Sequence, residues 1–454
     1  MSIPNVVAFP ASRPGASKPP SPETIFGEMA AADANLASRQ SLLYRWTGLH
    51  WRGPSPEDIG QDLELATAFN WLSLHPDYRA RATPALARSC VAAAALMAQP
   101  LPQPASEATC LALPVQNGYL HIDLVSGDMT LTEPDPALGM TYVIPCRFDP
   151  HAQAPRFERF LQQVLPDQAT RDYVRAYAGY TLLYDCRFQI AIFFLGSGSN
   201  GKSTFAQIIA ALHHREQCVA MKLGTLDGFG LSQLVDATLV VVDETPQRIN
   251  EQAIKTLISG GLTQADRKYM PPIRFYPHAK WILCGNNLPA ISDHSHGFWR
   301  RLPIVPFTQR FSPSEQDPML AEVIIREELS GVLTWAIEGL IRVLRDGKFP
   351  VESQEMANAK HAGQTESNSV LAWWNDDRAA VCDTVETPRR DVYGDYRTWT
   401  AQAGVSPLST ERFWNRLAEI IGRSATVPRA KKIDGQSVRV VQIRLTAPSS
   451  DGYN

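Results

Sequence analysis

The chain has 454 residues, 44% of them apolar, enough for about three domains with proper hydrophobic cores. Its net charge of −3 excludes a protein that coats nucleic acid non-specifically, so any nucleic-acid contact has to be focused on a local basic surface. Seven cysteines (Cys90, Cys110, Cys146, Cys186, Cys218, Cys284 and Cys382) form no C-x-x-C pair, which indicates neither a zinc ribbon nor a disulfide framework, and they read as reduced, mostly buried thiols. No apolar run approaches the ~20 residues of a membrane span and no basic-then-apolar signal opens the chain, so a cytoplasmic protein without a membrane partner is expected.

Residues 1–22, rich in Pro, Ser and Ala, cannot repay their ordering entropy by burial and are expected to form a flexible leader. Residues 23–110 show mainly helical spacing, in ETIFGEMAAADANLAS, DLELATAFNWLSL and ARSCVAAAALMAQ, and predict a helical N-terminal region. Between the first two lies LLYRWTGLHW, Leu42 to Trp51, whose aromatics suit a core or a base-stacking surface, core filling being the commoner use. The run PLPQP, Pro100 to Pro104, marks a break. Residues 111–185 open with VQNGYLHIDLVSGDMTLT, where Asn117-Gly118 and Ser126-Gly127 separate alternating apolar residues and predict a small β unit. FERFLQQVLP and RDYVRAYAGYTLLY then form a helical lead-in.

Residues 186–345 carry most of the chemistry. QIAIFFLGSGSNGKST, Gln189 to Thr204, reads as an apolar strand, a phosphate-binding loop and the start of a helix. A loop that wraps ATP must point several N–H groups inward, which Gly196, Gly198 and Gly201 allow; Ser197, Ser199, Asn200 and Thr204 complete the candidate binding stretch. Lys202 is suited to the β and γ phosphates and Ser203 to Mg²⁺, while the helix beginning near Lys202 aims its positive end at the same oxygens. Further on, TLVVVDE (Thr238 to Glu244) is a buried-strand pattern ending in Asp243, a candidate Mg²⁺ holder, and Glu244, a candidate general base for the attacking water.

After QRINEQAIKTLISGG, a helix closed by Gly260-Gly261, the stretch TQADRKYMPPIRFYPHAKW predicts a β-hairpin over Asp266–Tyr276 with a basic-aromatic tip of Arg267, Lys268 and Tyr269. Alone such a tip is more often a solvated surface; beside a nucleotide site it suits gripping a phosphodiester backbone. AKWILCGNN ends in amides, and Asn286 or its neighbour Asn287 is suited to sensing the γ phosphate or orienting the lytic water, although an Asn after a strand is commonly a turn former. In LPAISDHSHGFWRRLPIVPF the adjacent Arg300 and Arg301 are either a solvated face or, in a ring-forming ATPase, cations for the neighbouring subunit's γ phosphate.

The order GSGSNGKST, VVVDE, basic hairpin, ILCGNNLP and DHSHGFWRRLPIVPF resembles the superfamily 3 helicases, and within them the phage and plasmid primase-helicase family related to the poxvirus helicase-primase. The resemblance extends over about residues 110–450, including VQNGYLHIDLVSGDM upstream and SVLAWWNDD, DVYGDYRTWTAQAGVSPLSTERFWNRLAEIIG and VRVVQIRL downstream. It implies an α/β fold with an AAA+-type P-loop ATPase core, an α+β N-terminal region and a C-terminal winged-helix domain within residues 346–454. It also implies a homo-oligomeric ring, hexameric by analogy, that hydrolyses ATP and draws single-stranded DNA through its channel in the 3′ to 5′ direction. By this resemblance Lys202 and Ser203 are the Walker A pair, Asp243 and Glu244 the Walker B pair, Asn286 the sensor, Arg301 the arginine finger, and Arg267 and Lys268 the DNA grip.

The tail speaks for DNA binding independently: Arg423, Arg429, Lys431, Lys432, Arg439 and Arg444 surround a wing hairpin expected at Asp434-Gly435, after a helix with Arg412 and Arg416. A partner-docking winged helix fits the same pattern. No D-x-D constellation on a strand precedes the β unit, so primer synthesis is not expected of this chain, and a separate primase or replication initiator becomes a candidate partner. The expectation is therefore an ATP-dependent DNA helicase acting on single-stranded and forked DNA in the replication of a phage, plasmid or other mobile element. The alternative is an ATPase that loads at an origin without processive unwinding.

Overall fold

A computed structural model describes residues 20–53, 63–103, 109–223, 226, 228–246, 249–267, 270–289, 291, 296–433 and 436–446. Helix Pro22–Ala32 begins where Ser21 Oγ accepts from the Thr24 N–H at 3.2 Å. It stops short of the predicted ETIFGEMAAADANLAS helix because Asp33 Oδ1 captures the Asn35 N–H at 2.9 Å, a local turn that competes with the helical ladder. Leu36–Arg39 is instead a strand, joined to Leu42–Trp46 by Gln40 and Ser41 in left-handed conformation (φ 54° and 61°), the backbone that a two-residue hairpin requires.

The expectation of a mainly helical region over residues 23–110 is thus corrected to a mixed one. A four-stranded sheet (Trp51–Arg52, Leu42–Trp46, Leu36–Arg39, Gln99–Pro100) accompanies helices Pro22–Ala32, Leu63–Leu74 and Pro84–Met97. Tyr44 and Trp51 are buried, so they serve the core. A three-stranded antiparallel meander follows, Cys110–Val115, Gly118–Asp123 and Met129–Thr132. Helices Pro155–Val164 and Gln168–Thr181 lead from it to the central sheet, and Leu329–Asp346 packs along the second of them.

The central sheet has five parallel strands: β1 (Ile192–Leu195), β2 (Cys218–Ala220), β3 (Leu239–Val242), β4 (Lys280–Gly285) and β5 (Ile304–Pro306), in the order β5-β1-β4-β3-β2. IFFL, LVVV and WILC are apolar throughout because both faces are covered. Phe194, Ile282, Cys284 and Val305 point into one core; Phe193, Val240, Val242, Trp281, Leu283 and Ile304 point into the other. Each fully buried Phe of β1 contributes roughly 1.5–3 kcal/mol relative to exposure. Helix α1 (Lys202–Ala210) follows β1, and helix α2 (Glu251–Ile258) follows β3.

Between α2 and β4 lies the predicted hairpin, Thr263–Arg267 paired antiparallel with Met270–Phe275, with Ala265, Ile273 and Phe275 buried at its base. The C-terminal part places helices Ser369–Asn375, Arg389–Gln402 and Thr410–Ile421 around Trp373, Tyr396, Phe413 and Leu417, beside a sheet in which Arg429–Ile433 pairs with Gln436–Val441. All seven cysteines are free. Among the described residues no helix is long and apolar enough to cross a membrane.

The N-terminal sheet is tied to the central one through charge. Arg39 Nη2 donates to Asp236 Oδ1 at 2.6 Å, Tyr44 OH donates to Asp236 Oδ2 at 3.0 Å, and Arg52 pairs with Glu216 at 2.6 Å.

Candidate functional site

In a parallel sheet the loops that follow the strands gather at one edge, where ligands are usually held. Residues 196–201 follow β1, Asp243 and Glu244 follow β3, and Asn286 and Asn287 follow β4. Because β4 lies between β1 and β3, the amides end between the loop and the acids.

The loop takes its shape from small residues. Gly198, Ser199 and Gly201 have φ of 97°, 50° and 85°. At Gly201 a Cβ would come within 2.5 Å of Val164 Cγ1, and at Gly196 within 2.6 Å of the Phe307 carbonyl, so neither site has room for a side chain. Ser197 and Ser199 are exposed, whereas Asn200 is buried at 3% exposure; its Nδ2 donates to Phe307 O at 3.2 Å and its Oδ1 accepts from Lys202 Nζ at 3.0 Å. Lys202 opens α1 with Ser203 and Thr204 in the same turn, and its Nζ also donates to Gly196 O at 2.6 Å. Burial lowers the Lys202 ammonium pKa below its ordinary value, so an anion entering the loop would restore a favourable environment for the charge.

Asp243 and Glu244 are exposed at the end of β3. Thr245 turns the chain over β4, donating from N and Oγ1 to Cys284 O at 3.0 and 2.8 Å. The Cys284 thiol is pushed up to about 12, by burial first and then by the Asp243 carboxylate, with Lys202 opposing. Lys202 and Asp243 therefore flank the same residue of the strand between them. Asn286 and Asn287 are both exposed, so the geometry leaves both open as the sensing amide.

Arg300 and Arg301 are not part of this cluster. They precede β5, which runs parallel to β1, and the Arg301 carbonyl accepts from Ala191 N at 2.9 Å, just before β1 begins. They lie at the opposite edge, a strand length of about 13 Å from the loop. Arg301 is held by Ser259 Oγ at 3.1 Å, Gly297 O at 2.5 Å and Gln189 Oε1 at 2.8 Å; Arg300 is exposed and shares Gln189 Oε1 at 3.0 Å. Burial, then its neighbour Arg300, lowers the Arg301 pKa. The hairpin also rises from this edge, since Gly260, before it, lies against Cys186 and Pro277. Of its tip, Arg267 ends the first strand, its side chain outside the described residues, as are Lys268 and Tyr269 altogether.

In the C-terminal part, Arg429, Lys431, Lys432 and Arg439 are exposed on the paired strands, with Lys431 bonded to Glu386 at 2.7 Å. Arg412 and Arg423 are exposed nearby, and Arg389 lies 4.1 Å over the Trp414 ring. The wing tip expected at Asp434-Gly435 lies outside the described residues.

Sequence reasoning did not single out Gln189 or the Thr308–Phe311 segment, and it placed Asn200 in the binding stretch without a role for its side chain. Gln189 gathers both arginines, a link visible only once β1 and β5 lie side by side. The Asn200 side chain clasps Lys202, and the Thr308–Phe311 segment borders the loop. The last had a signal, since it directly follows an apolar strand, the place where parallel sheets hold ligands.

Fold and site together define a mixed α/β protein with a parallel sheet whose loop, acids and amides share one edge. Two family models match the chain: one described as D5 N terminal like over residues 33–166, and one described as a family of unknown function (DUF5906) over residues 194–301. The first begins well upstream of residue 110, so likeness extends into the N-terminal region. A protein of Acanthamoeba polyphaga mimivirus, whose name proposes a helicase, is 29% identical over 163 residues, 34% of this chain. The chain spans 17% of the length of that relative. The apo structure of the NrS-1 C-terminal region (305–718) shares the fold at a TM-score of 0.50 and 11% identity, over 94% of this chain and 100% of that one.

Proposed function

We propose that the chain is an ATP-dependent DNA helicase serving the replication of a phage, plasmid or other mobile element, with an AAA+-type core and a winged-helix tail. The single observation that carries this reading is the convergence at one sheet edge of the glycine-shaped loop with its buried Lys202, the exposed Asp243–Glu244 pair and the amides of β4. The helicase name of the viral relative and the D5-like match support the same direction.

In this reading Lys202 and the loop N–H groups bind the triphosphate, Glu244 takes a proton from the attacking water, and Asn286 orients that water. Ser203 and Asp243 offer the hard oxygen ligands that Mg²⁺ takes, and the ion would neutralise charge on the phosphate oxygens. Arg301 and Arg300, at the far edge, would complete the site of a second copy in a ring read as hexameric, with Arg300 the freer of the two. The hairpin at the same edge, with Arg267, Lys268 and Tyr269, would grip single-stranded DNA, and the ring would move 3′ to 5′. The exposed basic strand Arg429–Lys432 would bind the duplex ahead.

The test is ATP turnover with Mg²⁺, with and without single-stranded DNA. Turnover stimulated by DNA, and reduced at least about 100-fold in both Lys202→Ala and Glu244→Gln, is expected, with Glu244→Gln still binding ATP. DNA binding with negligible turnover in the unmodified protein would instead favour a DNA-binding module, and turnover without strand displacement would favour the ATPase that loads at an origin.

A further inference from the structure

We propose that Arg310 is a nucleotide-binding residue of this chain, a cation that binds the β and γ phosphates of the triphosphate in its own loop. The proposal rests on the ATP reading above and adds a residue to it. Its ground is the path taken after β5. The Phe307 N–H donates to Leu195 O at 2.7 Å, at the end of β1, and the Phe307 carbonyl accepts from Asn200 Nδ2 at 3.2 Å. Four residues on, the Phe311 N–H donates to Ser199 O at 3.0 Å, in the middle of the loop.

The peptide is therefore pinned to the phosphate loop at both ends. Phe307 is buried and Phe311 packs against the same core, so the anchors are held from below as well. Between them Thr308, Gln309 and Arg310 are all exposed and border the loop. Arg310 is the cation of the three and directly precedes the amide that bonds Ser199. Among the described residues no carboxylate pairs with it.

The chemistry of the ligand accounts for the need. A triphosphate carries several negative charges, and Lys202 offers three donors of which two are drawn to Gly196 O and Asn200 Oδ1. A guanidinium presents a planar fork that matches two phosphate oxygens at once, and it stays charged at any working pH. Strand β5 would then carry cations at both ends with different tasks: Arg310 for the site of its own chain, the Arg300–Arg301 pair for that of a neighbour. The anchoring also gives Asn200 a purpose, because its amide holds both Lys202 and the segment that delivers Arg310.

Equilibrium binding of fluorescent ATP and AMP analogues to the full chain with Mg²⁺ tests this, comparing the unmodified protein with Arg310→Ala, Arg310→Lys and Lys202→Ala. Arg310→Ala is expected to weaken the ATP analogue roughly 10- to 100-fold, a loss typical of a charge-assisted contact, and to leave the AMP analogue within about twofold. Arg310→Lys should recover part of the loss, and the melting temperature without nucleotide should not change because the side chain is exposed. If Arg310→Ala binds the ATP analogue like the unmodified protein while Lys202→Ala does not, the assignment is overturned and the ATP reading stands. If the unmodified protein binds no nucleotide, both fall. Should Arg310→Ala lower the melting temperature, Arg310→Gln replaces it and the same comparison decides.

Discussion

His213 is buried between two hydroxyls, with Nε2 3.0 Å from Thr181 Oγ1 and Nδ1 2.9 Å from Thr238 Oγ1. Burial, reinforced by the charge of Lys280, lowers its pKa from 6.5 to about 3. The folded state therefore holds this ring neutral, while the unfolded chain takes up a proton below about pH 6.5. The stabilisation from keeping it neutral is present in full above the unfolded value and is lost as pH falls from there toward the folded one. Between pH 7 and 5 the loss is about 2 kcal/mol for a group so placed. His50 and His278, each lowered to about 4 by burial, add in the same sense. Urea denaturation at the two pH values should show stability falling with acidity, and His213→Gln, less stable at pH 7, should lose about 2 kcal/mol less over that interval. An unchanged slope would contradict the placement.

At this scale the motif residues were legible because their chemistry restricts them to a few types at fixed spacing: Gly where φ is positive, Lys-Ser at the helix start, and acids at a strand end. His213, Gln189 and the buried Lys280, whose Nζ donates to His278 O at 2.8 Å and to Leu183 O, were not. Their partners lie far away in sequence, and a single His or Lys carries no spacing signal.

Helices Gln168–Thr181 and Leu329–Asp346 illustrate how much a pair of elements can demand of one residue. At Gly339 a Cβ would come within 2.7 Å of Arg175 C and closer still to its carbonyl oxygen; at Gly179 it would meet the Leu340 amide at 2.5 Å. Ala would gain about 1 kcal/mol of helix propensity over Gly. Overpacking against backbone, which cannot rotate away as a side chain can, costs 1–3 kcal/mol or more. The clash outweighs the propensity gain, so Gly339→Ala should destabilise by up to about 2 kcal/mol net in a denaturation experiment. A stabilised variant would mean that the helices are not packed this closely.

Elements were legible where one period dominated. The buried strands of the central sheet and the Asn117-Gly118 hairpin are short-range patterns, and both are present. Leu36–Arg39 was hidden inside an apparently helical run, and only the competing Asp33 turn and the left-handed Gln40–Ser41 pair make it a strand. The single-chain pattern also gave no sign that Gln99–Pro100 would pair with it in parallel, a contact across some 60 residues.

For the whole molecule, the direction of the sheet separates two sets of residues. The loop, the acids and the amides occupy one edge, and the arginine pair and the root of the hairpin the other. In a head-to-tail ring the first edge of one copy faces the second edge of the next, so each site would be completed by its neighbour and turnover would be coupled to movement of the hairpins. The sequence order foreshadowed these parts, but not that they lie on opposite edges, because that depends on strand order and not on spacing. The N-terminal sheet is joined to the core by Arg39–Asp236 and Arg52–Glu216.

The proposed coupling of hydrolysis at the loop edge to strand separation is read by strand displacement on forked DNA bearing a single 3′ or 5′ tail, with ATP and Mg²⁺, comparing the unmodified protein with Lys202→Ala. Displacement from the 3′-tailed fork that disappears in Lys202→Ala is the expected result. ATP turnover without displacement from either fork would contradict the helicase account.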